Sequence, residues 1–265
     1  MKLDKDDKGA AGKKSEPMLG RDDRKDTFAD ILLFGPSGAG KTTLASTAPR
    51  PLYVASPDPT GHKAIPYKTP GEIIASIEEM RDVYAKFTKG GYQREFNTLL
   101  IDGLPFLYEL FEYEMGIEFK EKKGSTDKDM LPIGAYGKIM KQFRELLRAF
   151  VGLTMPKDED RMDGIHVIFT ALSERIESKE DTGMLIRPRI GSDKMNQRFP
   201  SLFSITGYVY PLGSKSAAEK DPGPGTDRGL LVTPWKGVEA KDRLGLLPLS
   251  GPVPKLSDYL FDKFK

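Results

Sequence analysis

The stretch from Gly35 to Thr42 has the residue types and the spacing of a loop that binds phosphate groups. It reads Gly-Pro-Ser-Gly-Ala-Gly-Lys-Thr and matches the pattern G-x-x-x-x-G-K-[ST]. Glycines permit a loop whose backbone N–H groups point at one anion, and a helix that begins there adds partial positive charge. The sequence therefore predicts a site for ATP, or another nucleoside triphosphate, with Mg²⁺. The residues expected to contact it are Gly35, Pro36, Ser37, Gly38, Ala39, Gly40, Lys41, Thr42 and Thr43.

Three side chains of this loop have expected roles. Lys41 is predicted to reach the β- and γ-phosphates, Thr42 to ligate Mg²⁺, and Thr43 to touch the α-phosphate. These roles explain binding of the nucleotide. Any hydrolysis needs further groups from other parts of the chain.

One such group is the carboxyl group of Asp102, which follows the apolar segment Thr98 to Ile101. If that segment is a buried strand, Asp102 lies at its carboxyl end, in the Walker B position, where a carboxylate holds Mg²⁺ through water. A helix N-cap is the structural alternative for this aspartate. Because Gly103 follows it, the Asp-Glu pair that supplies a general base in many ATPases is absent.

Asp58 and Thr170 are candidates for the remaining chemistry. Asp58 follows the second predicted strand, whose carboxyl end should face the same crevice as the loop, so we expect it to act as the general base. Its alternative is a turn aspartate within Pro-Asp-Pro. Thr170 ends the fourth predicted strand and is a candidate sensor of the γ-phosphate, or else a structural threonine.

The bulk composition excludes several classes of protein. The 265 residues contain no cysteine and two histidines, so thiolate metal sites and cysteine nucleophiles are excluded and a histidine metal site is disfavoured. No apolar run approaches the roughly 20 residues that span a bilayer. The first 14 residues lack the pattern of a secretory or transit peptide, so we expect a cytoplasmic protein. Because the formal charge is only +2, any nucleic-acid site must be local.

The pattern of apolar segments predicts how the loop and these side chains are positioned. Residues 1–26 are charged and are expected to be a mobile tail, and residues 27–250 are expected to form one domain. Strands are predicted at Thr27–Gly35, Pro51–Ser56, Phe96–Ile101 and Ile165–Ala171. Helices are predicted at Lys41–Ala48, from a capping box at Thr69–Glu72, from Pro105 to about Met115, and at Tyr136–Val151.

The second half of the chain favours antiparallel strands. Residues 175–190 resemble two strands around an Asp-Thr-Gly turn, and strands are also expected in ITGYVYPL and GLLVTPW, with a flexible loop over residues 213–229 between them. A terminal helix is expected from Leu256 to Phe264, within residues 251–265. The predicted fold is α/β, with a mainly parallel central sheet, helices on both faces and antiparallel extensions in the C-terminal half.

Three segments together resemble the RecA-core ATPases, and more narrowly the small phage-encoded RecA-like ATPases of single-strand annealing and recombination. They are FGPSGAGKTT, the strand NTLLID without a following Glu, and the late KDRLG. The likeness covers about Phe28 to Pro248. It implies a RecA-like P-loop NTPase that hydrolyses ATP and acts on single-stranded DNA in recombination, annealing or replication. A single-stranded-DNA-binding protein as partner and a location in the host cytoplasm are further implications.

KDRLG is similar to a Lys-x-Arg-x-Gly element whose two cations reach the nucleotide of a neighbouring subunit. The resemblance thus implies a ring or filament in which Lys241 and Arg243 act in trans. Without it, the two residues would be interpreted as an ordinary solvated strand edge. The RecA pattern has a catalytic Glu after the second strand, where this chain offers Asp58, shifted by one residue.

A DNA-contacting surface is predicted from local clusters of cations. One cluster flanks the hairpin after the fourth strand and the other lies earlier in the chain, although solvated charges are an equal alternative for both. The residues concerned are Lys120, Lys122, Lys123, Arg175, Lys179, Arg187 and Arg189.

Two other functions stay open. A P-loop kinase of a nucleotide or small metabolite would use the same loop, but the strand-rich second half and the late Lys-x-Arg have no evident place in it. A nucleotide-gated assembly protein with little hydrolysis would suit the absence of Glu after Asp102.

Overall fold

The computed structural model describes residues 27–123, 133–156, 163–177, 183–212, 228–253 and 255–264. The predicted tail, residues 1–26, lies outside them. The strands are Asp30–Gly35 (β1), Leu52–Ser56 (β2), Gly71–Ile73 (β3), Thr98–Asp102 (β4), His166–Glu177 (β5), Met184–Arg189 (β6), Ile205–Pro211 (β7), Arg228–Leu231 (β8), Lys241–Asp242 (β9) and Ser250–Pro252 (β10). The α-helices are Lys41–Ala45 (α1), Ile77–Thr88 (α2), Tyr92–Glu95 (α3), Leu104–Lys123 (α4), Ile133–Val151 (α5) and Asp193–Arg198 (α6).

The described strands form one sheet in the order β10-β8-β7-β1-β5-β4-β2-β3, with β6 added to β5 and β9 added to β7. The pairs from β7 across β1, β5, β4 and β2 to β3 are all parallel. Strands β6, β8, β9 and β10 join antiparallel. The predicted parallel sheet with antiparallel extensions in the C-terminal half is therefore confirmed.

Strand β5 lies between β1, which leads into the loop, and β4, which carries Asp102. Leu33 of β1 is in register with Thr170 of β5, and Thr170 is in register with Asp102. Because the three strands are parallel, their carboxyl ends meet at one edge of the sheet. This order places Thr170 between the loop and Asp102.

The two faces of the sheet are covered by different layers, because alternate residues of a strand point to opposite sides. Leu32 and Phe34 pack with the apolar faces of α2, α4 and α5. Ile31 and Leu33 pack with α1 and with the C-terminal residues Leu256 and Leu260. The apolar spacing of Tyr136–Val151 thus did predict α5, which begins at Ile133.

The helix predicted to have its N-cap at Thr69 has it seven residues later, at Ser76, and begins at Ile77. Residues Gly71–Ile73 instead pair with β2 as strand β3. The capping box is formed by Ser76, whose hydroxyl accepts from the N–H of Glu79 at 3.1 Å. The Glu79 carboxylate accepts from the N–H of Ala75 at 2.6 Å. A capping box therefore does begin this helix, but at Ser76 and not at Thr69.

The predicted terminal helix is also wrong, since only Leu256–Asp258 form a single 3₁₀ turn. The C-terminal segment is anchored by polar contacts at the amino ends of β4 and β5. Asn97 donates to Asp262 at 2.6 Å, and the ring of His166 donates to the carbonyl oxygen of Phe261 at 2.7 Å. Tertiary contacts, rather than helical hydrogen bonds, therefore hold this segment.

Candidate functional site

The phosphate-binding motif forms a loop between β1 and α1, as the sequence predicts. Gly38 and Gly40 adopt left-handed backbone conformations, with φ of 77° and 84°, which only glycine adopts readily. A Cβ at Gly35 would lie 2.3 Å from the carbonyl oxygen of Val209 on β7, so the loop can leave the sheet here only with glycine.

Lys41 lies at the start of α1 with its ammonium group turned into the loop. It donates to the carbonyl oxygens of Gly35 at 3.1 Å and Pro36 at 2.8 Å. Burial lowers the pKa of Lys41 to about 8, although the carboxyl group of Asp102 opposes this shift. The ammonium form therefore prevails at neutral pH and carries the charge that a phosphate group requires.

Asp102 is held by two threonine hydroxyls. Thr42 donates to its Oδ1 at 2.9 Å and its Oδ2 at 3.1 Å, and Thr170 donates to Oδ1 at 2.6 Å. Thr170 also accepts from the N–H of Gly103 at 2.9 Å. The helix α4 begins at Leu104, directly after Gly103. The hydrogen bonds to the Asp102 carboxylate come from the two threonines, and none of them caps α4.

The environment of Asp102 perturbs its acidity. Burial raises the pKa of Asp102, whose exposure is 3%, and the nearby carboxylate of Asp58 raises it further. The hydrogen bonds from Thr170 and Thr42 and the charge of Lys41 act in the opposite direction. A cation beside this carboxylate would therefore stabilise its ionised form.

Asp58 follows β2 and faces the same cavity as Asp102. Gly61 lies between the two carboxylates, since a Cβ on it would be 2.4 Å from Asp102 Oδ2 and 3.1 Å from Asp58 Oδ2. The other oxygen of Asp58 accepts from the N–H and the hydroxyl of Thr60, both at 2.8 Å. Asp58 is thus a turn aspartate and a cavity-lining carboxylate at once.

A cavity of about 350 Å³ joins these groups. Its lining includes the loop residues from Ser37 to Thr43 except Ala39, together with Asp58, Asp102 and Thr170. Arg228, at the start of β8, lines it as well. No sequence signal pointed to Arg228, because it falls at the end of the Gly/Pro-rich stretch predicted to be a loop.

Lys241 and Arg243 lie at the opposite edge of the sheet. Lys241 interacts with Asp30, the first residue of β1, and the N–H of Arg243 donates to the carbonyl oxygen of Ser204 at 3.1 Å. The loop begins at the other end of β1. Because β1 is six residues long, at about 3.3 Å per residue its two ends are roughly 17 Å apart. Neither cation therefore reaches the loop of its own chain.

The prediction that Arg187 contacts DNA is wrong. The exposure of Arg187 is 1%, and its guanidinium pairs with Glu174 at 2.6 Å and with Asp193. Arg187 and Arg189 are two residues apart and so share one face of β6, but α6 covers only Arg187, through Asp193, whereas Arg189 is exposed. Lys179 lies outside the described residues, and so do the side chains of Lys120, Lys122 and Lys123, although their backbone belongs to α4.

The two exposed arginines of the hairpin point to opposite faces. Arg189 is in register with Leu172, and Arg175 is three residues further along β5. Because side chains alternate along a strand, an odd separation places them on different sides. The described part of the hairpin therefore presents two separate cations and not one basic patch.

Residues 27–244 match the protein family described as AAA domain. The chain belongs to this family. The match spans β1 to β9, so the loop, Asp58, Asp102, Thr170 and Lys241 all fall inside the AAA domain. Such domains are nucleotide-binding ATPases, which agrees with the motif and the α/β P-loop fold. No curated protein matches the chain significantly.

The AAA domain implies a nucleotide and Mg²⁺, and its residues suit both. Mg²⁺ prefers oxygen ligands and is usually bound by one or two carboxylates, phosphate oxygens and waters. Thr42 and Asp102 offer such oxygens side by side. Among the described residues, no group of three or more His, Cys, Asp or Glu could hold a metal by itself. Mg²⁺ would be held by Thr42, Asp102 and the phosphates, and it would neutralise phosphate charge.

A membrane-spanning segment is not found among the described helices, since none combines the required length with the required apolar composition.

Proposed function

We propose that this AAA domain protein hydrolyses ATP with Mg²⁺ at the cavity between the loop and Asp102. The observation that carries the proposal is the contact of Thr42 with Asp102 at 2.9 Å. It brings together a hydroxyl and a carboxylate suited to one Mg²⁺, next to an ammonium group suited to the phosphates. This arrangement supplies positioning and charge neutralisation, on which phosphoryl transfer mainly depends.

Asp58 is the proposed general base. Its carboxylate faces the cavity from β2, and one of its oxygens is oriented by two hydrogen bonds from Thr60. A base needs a free lone pair directed at the attacking water. The second oxygen lies on the side of Gly61 and Asp102, which supports this role.

The test is release of inorganic phosphate from ATP by the full chain, with the Lys41→Ala, Asp58→Asn and Asp102→Asn variants beside it. We expect turnover by the wild type, loss of ATP binding in Lys41→Ala, and nucleotide binding without turnover in Asp58→Asn. Full turnover by Asp58→Asn would remove Asp58 as the base. A wild type that binds ATP and releases no phosphate would refute hydrolysis.

The second part of the proposal is side-by-side assembly, with Lys241 and Arg243 of one subunit at the nucleotide of the next. Both line a groove of about 660 Å³ that also contains Trp235, whose exposure is 58%. Asp242 accepts from the N–H groups of Leu244 and Gly245 at 2.8 and 2.7 Å, which fixes the turn that presents Arg243. The resemblance of KDRLG to an element that acts in trans supports this arrangement.

Complementation between two inactive variants tests the trans role. Arg243→Ala subunits keep the loop and Lys41→Ala subunits keep the cations, so a mixed interface can hold one intact site. We expect mixtures to recover part of the ATPase activity that neither variant has alone. Confirmed mixed oligomers that stay inactive would contradict the trans role.

Single-stranded DNA is the proposed substrate of the assembly. Support comes from the resemblance to the RecA-like ATPases and from Arg175 and Arg189, two exposed arginines of the hairpin that β5 forms with β6. We expect DNA to raise phosphate release and to bind less tightly as salt rises, because phosphate contacts release counterions. An ATPase rate unchanged by single-stranded DNA at low salt would refute this part alone.

A nucleotide-gated assembly protein is the second candidate. Gly103 stands where many ATPases have a catalytic Glu, and Asp58 already accepts two hydrogen bonds from Thr60. This candidate predicts that ATP changes the oligomeric state, as measured by light scattering, without release of phosphate.

A further inference from the structure

Arg228 lies against the phosphate-binding loop of its own chain. A Cβ built on Gly40 would be 1.7 Å from its Nε and 2.6 Å from its Cζ, so the guanidinium covers the backbone immediately before Lys41. It shares one cavity with Lys41, Thr42 and Asp102. Arg228 and Gly40 are far apart in the sequence, so their contact depends on the fold.

The sheet determines this position. Strand β8 pairs antiparallel with β7, which places Arg228 opposite Pro211 at the carboxyl end of β7. Since β7 is parallel to β1, that end lies at the edge from which the loop leaves. The neighbouring Gly229 packs on the ring of Tyr210, where a Cβ would be 2.3 Å from Cζ. The backbone that carries Arg228 is therefore closely packed.

The charged groups that line the cavity indicate which kind of ligand the Arg228 guanidinium suits. Two carboxyl groups, Asp58 and Asp102, face the cavity, and Lys41 is the cation that the motif supplies. Within the described residues, the Arg228 side chain makes no ion pair or hydrogen bond. An arginine fork matches phosphate oxygens, and it keeps its charge at any physiological pH.

We propose that Arg228 binds the phosphate chain of the nucleotide in cis, as a second cation beside Lys41. This inference rests on nucleotide binding at the loop and does not depend on hydrolysis, on DNA or on the trans role of Lys241 and Arg243. Under this proposal and the trans role of Arg243, two arginines from different subunits supply positive charge to one nucleotide site. Arg228 comes from the chain that holds the nucleotide, and Arg243 is proposed to come from its neighbour.

Titration calorimetry of the full chain tests the proposal with two probes, a non-hydrolysable ATP analogue and inorganic triphosphate. The variants are Arg228→Gln and Arg228→Lys, and the matched control is Arg81→Gln, whose exposed arginine lies on α2 away from the cavity. We expect Arg228→Gln to weaken both probes roughly 10- to 100-fold, as for loss of a charged hydrogen bond. Arg228→Lys should recover part of the affinity, and the control should bind as the wild type does.

The outcomes separate the proposals. Failure of the wild type to bind either probe would refute nucleotide binding itself and this inference with it. Unchanged affinities in a folded Arg228→Gln protein would overturn the inference and leave the proposed ATPase intact. Weaker binding of the ATP analogue with unchanged binding of triphosphate would also overturn it, because Arg228 would then contact the base or ribose.

Discussion

The hydroxyl of Thr170 donates to Asp102 Oδ1 at 2.6 Å and accepts from the N–H of Gly103 at 2.9 Å. It thereby ties the side chain of Asp102 to the backbone that follows it. The hydrogen bond opposes the rise in the pKa of Asp102 that burial causes. Thr170, on β5, thus affects both the position and the pKa of the Asp102 carboxylate.

Thr170→Val is expected to move the acid limb of Mg²⁺-dependent ATP binding to higher pH. Loss of the donor raises the pKa of Asp102 further, so the carboxylate becomes protonated, and its interaction with Mg²⁺ is lost, at a less acidic pH. The measurement is ATP affinity with Mg²⁺ between pH 5 and 8. Thr98→Val is the matched control, because Thr98 is buried in the same sheet and donates to Pro49. Equal acid limbs in both variants and the wild type would contradict the prediction.

Gly61→Ala is expected to impair Mg²⁺-dependent binding and turnover. The added Cβ would lie 2.4 Å from Asp102 Oδ2, so the carboxylate must move away from Thr42. We expect a loss of tenfold or more in affinity with Mg²⁺, roughly the effect of one charged hydrogen bond. Gly137→Ala, in the open on α5, serves as the control. If both variants bind ATP as the wild type does, Gly61 is not required for the position of Asp102.

Arg187→Ala is expected to lower the free energy of unfolding by about 2–3 kcal/mol, because it empties a buried position and leaves Glu174, whose side chain is 24% exposed, without its cation. Arg189→Ala, on the same strand but exposed, should change it by about 0.5 kcal/mol or less. Urea denaturation measures both. A small effect of Arg187→Ala on stability would show that the ion pairs with Glu174 and Asp193 contribute little.

His166 is expected to make the fold sensitive to acid. Burial lowers its pKa from 6.5 to about 4, so between these values the unfolded chain binds a proton that the folded chain does not. Stability therefore falls as pH drops through this window, by up to about 3 kcal/mol from this group. His166→Gln should flatten the dependence between pH 6.5 and 4, as measured by urea denaturation. His62→Gln, which retains His166, should keep the slope of the wild type; the same slope in both variants would contradict the assignment.

The local parts of the site could be predicted from the sequence. The glycine spacing of the loop and the apolar segments before Asp102 and Thr170 are short-range patterns, and each describes one strand end. The order of the strands is not written in any one segment. Whether Asp102 borders β1 or is separated from it by β5 depends on which strands pair, and that choice produced its contact with Thr170.

Long-range packing decided what the sequence could not. Arg187 and Arg189 look alike in the sequence, and only the position of α6 with Asp193 makes one of them buried. Thr69 and Ser76 both precede a glutamate at capping-box spacing, and the pairing of β3 with β2 selects Ser76. Arg228 became part of the site through two successive strand pairings.

Strand β5 runs without interruption from His166 to Glu177. At about 3.3 Å per residue it is a rod of roughly 36 Å, in which Thr170 touches the Walker B carboxylate and Arg175 lies five residues further along. No loop or hinge separates the two described positions, and β6 stiffens the distal half. One continuous strand therefore connects the residue that bonds Asp102 with the arginine of the hairpin, and any displacement of Thr170 along β5 would be shared by Arg175.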